Sequence, residues 1–207
     1  MATNFETGLP LEQLRQIRIE KLNKLKEMGI EPFPSKATCT NSLSEITSDY
    51  EKLENQKVIV VGRIISWREH GKLIFSDLED YSGSVQLYIK EDTIKPHEKS
   101  LENLGFADLN LLDQGDFIQV NGTVTKTQRG EISILVKRIN LLTKSLRPLP
   151  SKHFGLKDEE ERFRQRYVDF NLNHELRELF VKKSKFWNSM RQFLTNKGFL
   201  EVETPVL

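Results

Sequence analysis

Apolar and polar residues alternate through the middle of the chain, as they do in half-buried β-strands. In the clearest example Val85, Leu87 and Ile89 fall on one face, and Gln86 and Tyr88 fall on the other. Four more segments have the β-branched and aromatic character of strands: KVIVVGRIISW, GKLIFSDLED, DFIQVNGTVT and EISILVKRIN. The pattern therefore predicts a β-rich centre built from strands.

The order of these segments predicts how they are connected. Helical stretches near 96–104 and 107–112 separate the first three strands from the last two. That order is typical of a five-stranded OB barrel, although a small open sheet would show the same alternation. Gly62, inside the first strand, predicts a bulge or a sharp bend. The expected fold class is mainly β with α, an OB barrel with helices on either side.

Helical periodicity marks both ends of the chain. Leucines at three- and four-residue spacings predict a helix over Leu11–Met28, and a longer helix is predicted over Glu175–Lys197. Asn173 is positioned to cap the longer helix, and Gly198 to end it. Three regions follow: a helix and connector at 1–56, the barrel at 57–146, and a linker with helices at 147–207.

The long C-terminal helix carries an apolar stripe. Its members are Leu176, Leu179, Phe180, Trp187, Met190, Phe193 and Leu194. The residues around it are too few to bury a stripe of this size. We therefore expect a partner, or another part of a longer polypeptide, to cover it.

The charge balance changes this picture only locally. The chain has 31 lysine and arginine residues against 30 aspartate and glutamate, a net charge of +1 that excludes a histone-like polycation. The tract from Lys126 to Lys144, however, holds five basic residues and Glu131 as its single acid. Such a stripe suits a phosphate backbone, and it equally suits a solvated strand edge protected by lysine.

Other features indicate the compartment. Cys39 is the single cysteine and cannot form an internal disulfide. No apolar run approaches the roughly 20 residues of a membrane helix, and the first residues lack the basic and apolar regions of a secretory signal. We therefore expect a cytoplasmic protein with no membrane partner.

Catalytic motifs are missing from the sequence. It has no phosphate-binding GxxxxGK or GxGxxG loop and no GxSxG elbow. The four histidines are scattered without the spacing of a metal site. We expect no catalytic residue, no metal and no cofactor in these 207 residues.

Binding chemistry is better represented. OB barrels hold single-stranded nucleic acid across their second and third strands and the adjoining loops. The candidates on those elements are Arg68, Phe75, Gln86 and Glu131. Phe75 can stack on a base, while Gln86, Arg68 and Glu131 can hydrogen-bond to one. Taken singly, each residue also has an ordinary structural explanation; their concentration in one hairpin system favours binding.

Several segments resemble the N-terminal half of class II lysyl-tRNA synthetases, in order and in register. They are VVGRIISWREHGKLIFSDLED, VQLYI, KTQRGEISI, RPLPSKHFGLKDEEERFRQRYVDF and NKGFLEVETPVL. The FGLKDEE portion favours the lysyl enzymes over their aspartyl and asparaginyl relatives, which share the barrel and the RQRYVDF-like segment.

The resemblance implies roles for particular residues. Arg68, Phe75, Gln86 and Glu131 would read the U-rich anticodon of tRNA-Lys. The N-terminal helix would lie against the tRNA, so weaker backbone contacts are expected at Arg15 and Arg18, and the basic tract adds Lys126, Arg129 and Lys137. The segment 197–205 resembles class II motif 1, which forms the homodimer interface in the family. Its interface residues would be Phe193, Leu194, Gly198, Phe199 and Pro205.

The resemblance also implies a reaction for the full-length parent, the ATP- and Mg-dependent attachment of lysine to tRNA-Lys. Motifs 2 and 3, which bind ATP in the family, are absent from these 207 residues, so we expect this chain alone to bind tRNA without catalysis. One alternative is a non-catalytic OB module that binds single strands or proteins. A fragment of an aspartyl- or asparaginyl-tRNA synthetase is the closer rival.

Overall fold

The computed structural model describes residues 9–150, 156 and 158–205. The chain divides into two compact units, with the boundary between Pro148 and Leu149. The SKHFG stretch at 151–155, including His153, lies outside the described residues.

The first unit is a closed β-barrel, which confirms the predicted fold class. Its strands are β1 (Lys57–His70), β2 (Leu73–Glu79), β3 (Ser84–Lys90), β4 (Asn103–Leu104), β5 (Phe117–Lys126) and β6 (Ile132–Thr143). They are ordered β3-β2-β1-β5-β6-β4, and a parallel pairing of β3 with β6 closes the barrel. All five predicted strands are present, and the two-residue β4 is added at the edge of β6.

β1 is long enough to pair with two neighbours in succession. It changes partner from β5 to β2 at Arg63, and its register shifts between Ile64 and Ser66. The bulge is therefore next to Gly62 and not at it. Gly62 serves close packing instead, because a Cβ there would lie 2.8 Å from the backbone oxygen of Glu79.

The connection between β3 and β5 confirms the second predicted helical stretch, which is a 3-10 helix, and corrects the first. The observed elements are a 3-10 turn at Lys99–Leu101, strand β4 and a 3-10 helix at Phe106–Leu111. Asn103 is fully buried; its side chain accepts from Glu98 N at 3.1 Å and donates to Pro96 O at 2.8 Å. An α-helix over 96–104 cannot form while this side chain occupies the backbone groups it would use.

Three helices precede the barrel and share its core. They are α1 (Leu11–Glu27), α2 (Leu43–Ser48) and α3 (Tyr50–Leu53). The apolar residues that join the barrel core are Leu25, Ile30, Leu43, Ile46 and Tyr50. Asp80, in the turn after β2, accepts from Leu43 N at 3.0 Å and from Gly83 N at 3.0 Å. This carboxylate therefore ties the start of α2 to the β2–β3 turn.

Polar contacts hold the middle of α1 on the barrel. Leu11 is 53% exposed, whereas Arg18 is buried and its guanidinium donates to the backbone oxygens of Ser145 (2.8 Å) and Gln114 (3.2 Å). One turn later Lys21 pairs with Asp113 at 2.7 Å. The helix is thus held on the barrel by the charged Arg18 and Lys21 near its middle and by the buried Leu22 and Leu25 towards its end.

Lys144, directly after β6, is buried and does not contribute to a basic surface. Its side chain is fully buried, and its Nζ contacts Asp113 at 2.5 Å and Asp116 at 2.6 Å. Burial raises the pKa of Asp113, but the attraction of Lys144 and Lys21 outweighs it and leaves that pKa below its ordinary value. Lys144 therefore belongs to a buried ion cluster and not to the predicted Lys126–Lys144 stripe of surface charges.

The second unit is helical, with elements α4 (Glu159–Arg164), α5 (Arg166–Leu172) and α6 (His174–Asn196). Asp158 accepts from Glu161 N at 3.0 Å, and Asn173 accepts from Leu176 N at 3.1 Å, so both side chains cap their helices. Gly198 follows α6 with φ +85° and confirms the predicted stop. No helix among the described residues is long and apolar enough to cross a membrane.

Candidate nucleic-acid interface

The outer face of β1, β2, β3 and β6 carries two rows of side chains at matched register. Arg68, Phe75, Tyr88 and Leu135 are aligned in one row. Ser66, Asp77, Gln86 and Ser133 are aligned in the next row, one dipeptide step along each strand. These positions alternate with the core residues, so their side chains share one surface of the barrel. We call these two rows the outer face.

The first row is centred on a pair of parallel rings. The ring centroids of Phe75 and Tyr88 are 5.1 Å apart and the planes differ by 5°. His70 meets Phe75 edge-on at 6.2 Å, and the Nζ of Lys90 lies 4.9 Å from the Tyr88 centroid. Both Phe75 and Tyr88 are half-buried, so neither ring belongs to the core. The two rings are stacked on each other, and half-buried aromatic rings of this kind are the groups on which unpaired bases stack in OB barrels.

Arg68 stands beside this platform in a bidentate ion pair. Its Nη1 donates to Asp77 Oδ2 at 3.0 Å and its Nη2 donates to Asp77 Oδ1 at 3.3 Å. Ser66 Oγ also donates to Asp77, and it accepts from Arg68 Nη1 at 3.2 Å. A bidentate pair fixes the plane of a guanidinium. Arg68 is therefore pre-oriented on the outer face, where it remains substantially exposed.

Gln86 and Glu131 meet where the barrel closes. Gln86 Nε2 donates to Glu131 Oε2 at 2.9 Å, and Gln86 Oε1 accepts from Ser133 Oγ at 3.0 Å. Glu131 is exposed and follows the β5–β6 turn, whose ends are tied by the bond from Thr127 N to Glu131 O at 2.9 Å. The structure thus brings all four predicted base-contacting residues, Arg68, Phe75, Gln86 and Glu131, onto one surface.

The weaker cationic candidates divide into exposed and buried residues. Lys126, Arg129, Lys137 and Arg15 are exposed. Lys126 rests with its Nζ 4.5 Å from the ring centroid of Tyr50, and Arg15 is 3.9 Å from Glu12. Their charges are accessible to a polyanion.

Arg18 is a correction to the sequence expectation. It is 7% exposed, and both of its Nη atoms are used on backbone oxygens inside the first unit. A guanidinium committed in this way is not available to a phosphate. Its role is to hold α1 on the barrel.

Sequence reasoning did not select Tyr88, Asp77 or Ser133 of the outer face as candidates. Tyr88 and Asp77 are two residues from Gln86 and Phe75 on the same strands, so the period-two alternation could have found them. No sequence feature marked Ser133, because its contact with Gln86 depends on a parallel pairing between strands that are distant in sequence.

The second unit presents the apolar stripe on the surface of α6. Its exposed large side chains include Leu179, Phe180, Phe186, Trp187, Met190, Phe193 and Leu194. Beyond the helix, Phe199 is 65% exposed and Pro205 is also exposed. Among the described residues of this unit, Phe170 meets Phe180 edge-on at 4.9 Å, and Phe180 nevertheless remains 43% exposed.

A metal site is not found in the part of the chain that the structure describes. No group of three or more histidine, cysteine, aspartate or glutamate side chains there is placed to hold a metal ion. The carboxylates of the outer face are paired instead with Arg68 and Gln86.

Family comparisons divide the chain as the architecture does. Residues 58–142 match the OB-fold nucleic acid binding domain, and residues 158–207 match class II tRNA synthetases of the D, K and N group. The chain thus combines an OB-fold nucleic acid binding domain with the start of a class II tRNA synthetase domain of this group.

Individual relatives narrow the class. Lysine–tRNA ligases from Syntrophomonas wolfei and Thermoanaerobacter pseudethanolicus are 45% and 48% identical over 202 and 198 residues, covering 98% and 95% of this chain. A lysine–tRNA ligase from Moorella thermoacetica is 44% identical over 195 residues. The chain spans 40%, 38% and 38% of the lengths of these three relatives.

Proposed function

We propose that this chain is the anticodon-binding region of a lysine–tRNA ligase and that its outer face binds the anticodon of tRNA-Lys. The observation that carries this proposal is the grouping of Arg68, Phe75, Gln86 and Glu131 on one face of the barrel beside a second aromatic ring, Tyr88. The similarity to lysine–tRNA ligases along nearly the whole chain supports it.

The side chains match the chemistry of an unpaired uracil. Phe75 and Tyr88 offer flat apolar faces for stacking. Uracil presents an acceptor, a donor and an acceptor along its pairing edge, and the Gln86 amide with the Arg68 guanidinium can complement that order. Glu131 can accept from a base N–H. The exposed Lys126, Arg129, Lys137 and Arg15 then add sequence-independent attraction for the phosphates.

Binding to tRNA-Lys transcripts tests this proposal directly. We expect a transcript with the natural anticodon to bind more tightly than one in which the middle anticodon base is replaced. Equal affinities, measured by fluorescence anisotropy at a fixed salt concentration, would remove the anticodon assignment. Transcripts of tRNA-Asp and tRNA-Asn in the same assay distinguish the aspartyl and asparaginyl alternatives.

The parent enzyme would use ATP and Mg to attach lysine to the tRNA. The described residues do not fit a metal site, so we derive no catalytic step from them. We expect the 207-residue chain to show no exchange of pyrophosphate into ATP in the presence of lysine. Exchange above the no-enzyme control would contradict this expectation. The free, exposed Cys39 is compatible with a cytoplasmic site of action.

A homodimer is proposed for the parent, with the α6 stripe at its interface. Leu194, Phe193 and Phe199 are 44%, 62% and 65% exposed, more contiguous apolar surface than a monomer ordinarily leaves in water. Sedimentation velocity of a full-length enzyme with Phe193→Glu should show a shift from dimer to monomer. An unchanged sedimentation coefficient would place the interface elsewhere.

The alternative function is a non-catalytic OB module that binds any single strand. Its supporting observation is that the aromatic platform and exposed cations require no particular sequence. Such a module would bind an unstructured oligonucleotide as tightly as a folded tRNA of equal length. The anticodon proposal predicts a preference for the tRNA.

A further inference from the structure

Both ends of the Gln86 amide are engaged before any ligand binds. Its Nε2 donates to Glu131 Oε2 at 2.9 Å, and its Oε1 accepts from Ser133 Oγ at 3.0 Å. Gln86 is 9% exposed and Ser133 is fully buried. An amide nitrogen has two hydrogens and the oxygen has two lone pairs. One donor hydrogen and one acceptor lone pair therefore remain for a ligand. Which of them lies on which side depends on how Glu131 and Ser133 orient the amide.

The two neighbours do not contribute equally to that order. An ionised carboxylate only accepts, so Glu131 requires the Nε2 end of Gln86 to face it. The Ser133 hydroxyl can donate or accept, and a second acceptor, Glu131 O, lies 3.3 Å from it. Ser133 would therefore adapt to either orientation of the amide. Glu131 is the group that distinguishes them, because a flipped amide would turn its oxygen towards a carboxylate.

Amide orientation is the property that separates uracil from cytosine at a fixed position. Uracil offers the O4 acceptor beside the N3–H donor, whereas cytosine offers the N4 amino donor beside the N3 acceptor. An amide that donates to O4 and accepts from N3–H of uracil can pair with cytosine in the same place only after a 180° flip. A carboxylate that opposes the flip therefore opposes cytosine.

We propose that Glu131 is a positioning residue that makes Gln86 selective for uracil over cytosine by holding its amide in one orientation. This inference rests on the proposed anticodon function, and it gives Glu131 a role in the reading of a base that Gln86 contacts. Glu131→Gln keeps the shape of the side chain and removes the constraint, because a glutamine at this position presents either an oxygen or a nitrogen.

The test uses the whole chain and a set of tRNA-Lys transcripts in which each anticodon uridine is replaced in turn by cytidine. The ratio of the two dissociation constants at each position measures selectivity. Gln86→Leu identifies the position that Gln86 reads, since the ratio should collapse there. At that position Glu131→Gln should lower the ratio about tenfold, the equivalent of one hydrogen bond to a charged group. In the Gln86→Leu background it should have no further effect on this ratio.

Glu91→Gln is the matched control. It removes the same charge near the end of β3, where Glu91 pairs with Lys72 at 3.0 Å. It should change the affinities for all transcripts by a common factor and leave every ratio unchanged.

Each outcome decides between the two proposals. A wild-type chain that shows no uracil preference at any position overturns the anticodon function, and the inference with it. A selective wild type whose ratio survives Gln86→Leu or Glu131→Gln leaves the function standing and overturns the inference. An equal effect of Glu131→Gln with and without Gln86 would mean that the carboxylate acts on the base directly, which also overturns it.

Discussion

The ring of Phe75 is parallel to that of Tyr88 across the β2–β3 pair, with 5.1 Å between centroids. This contact holds the Phe75 ring on the outer face and away from the barrel core, where Ile74 and Leu78 of the same strand are buried. A ring held in this way is ordered before a base arrives. Less conformational entropy is then lost on stacking.

Phe75→Ala should weaken binding of tRNA-Lys by about 1–3 kcal/mol, because a stacking contact with one base is lost. Fluorescence anisotropy titration at constant salt measures the change. Phe75→Tyr, which retains the ring, should bind within a few-fold of wild type. A Phe75→Ala protein with unaltered affinity would show that the ring is structural only.

Lys137→Ala should weaken the binding of all tRNAs alike, because this exposed lysine has no base-selective chemistry. The slope of log K against log salt should fall by about one for the lost phosphate contact. Lys137→Arg keeps the charge and should restore the slope. A loss confined to tRNA-Lys would contradict a backbone role.

Arg18→Ala should destabilise the first unit and leave the salt dependence of tRNA binding unchanged. The substitution removes two hydrogen bonds from a buried guanidinium, at a cost of about 2–3 kcal/mol in the free energy of unfolding. Urea denaturation followed by circular dichroism measures the cost. Arg15→Ala, on the exposed side of the same helix, should stay within about 0.5 kcal/mol of wild type. Similar stabilities for the two variants would show that the contacts of Arg18 do not stabilise the fold, and would contradict its structural role.

Asp80 should make the first unit sensitive to acid. Burial raises its pKa, but hydrogen bonds from Ser82, Leu43 and Gly83 together bring that pKa below the ordinary value of 3.8. A lowered folded-state pKa contributes stability above the unfolded-state pKa, and this contribution is lost as the pH falls through the folded value.

Asp80→Asn tests that sign. At neutral pH the variant should be less stable than wild type by about 1 kcal/mol, because uncharged hydrogen bonds replace charged ones. The difference in urea midpoint should shrink as the pH is lowered below 4 and should vanish when both side chains are neutral. A difference that is independent of pH would show that the Asp80 charge contributes nothing.

The local pattern of apolar and polar residues was sufficient to predict the strands of the barrel and to select Arg68, Phe75 and Gln86 on them. Alternation along β3 placed Gln86 on the face opposite Val85 and Leu87, but it did not predict that Gln86 would itself be buried, with its amide bonded to Glu131 and Ser133. Periodicity could not predict the fate of Arg18, since the carbonyls it binds belong to residues 114 and 145. It also could not foresee that buried Asn103 would replace a helix with short 3-10 turns.

Non-local pairing accounts for what alternation could not supply. Ser133 is adjacent to Gln86 because β3 and β6 pair in parallel. Parallel strands are not joined by a hairpin turn, so no turn sequence predicts their pairing. Asp77 was overlooked for a different reason. A carboxylate would repel phosphate, so the sequence gives no reason to place Asp77 in a nucleic-acid interface. Its role becomes evident only from its bidentate contact with Arg68.

The parallel closure of β3 on β6 also has a consequence for biosynthesis. Gln86 and Glu131 are 45 positions apart, and they meet only after β6 has been synthesised and docked. A nascent chain that has released β1, β2 and β3 from the ribosome already carries Arg68 and Phe75, but not the carboxylate that orients Gln86. Contacts of such long sequence separation form late in folding. If Glu131 orients Gln86 as we propose, base selectivity is acquired only when β6 docks on β3, after both strands have been synthesised.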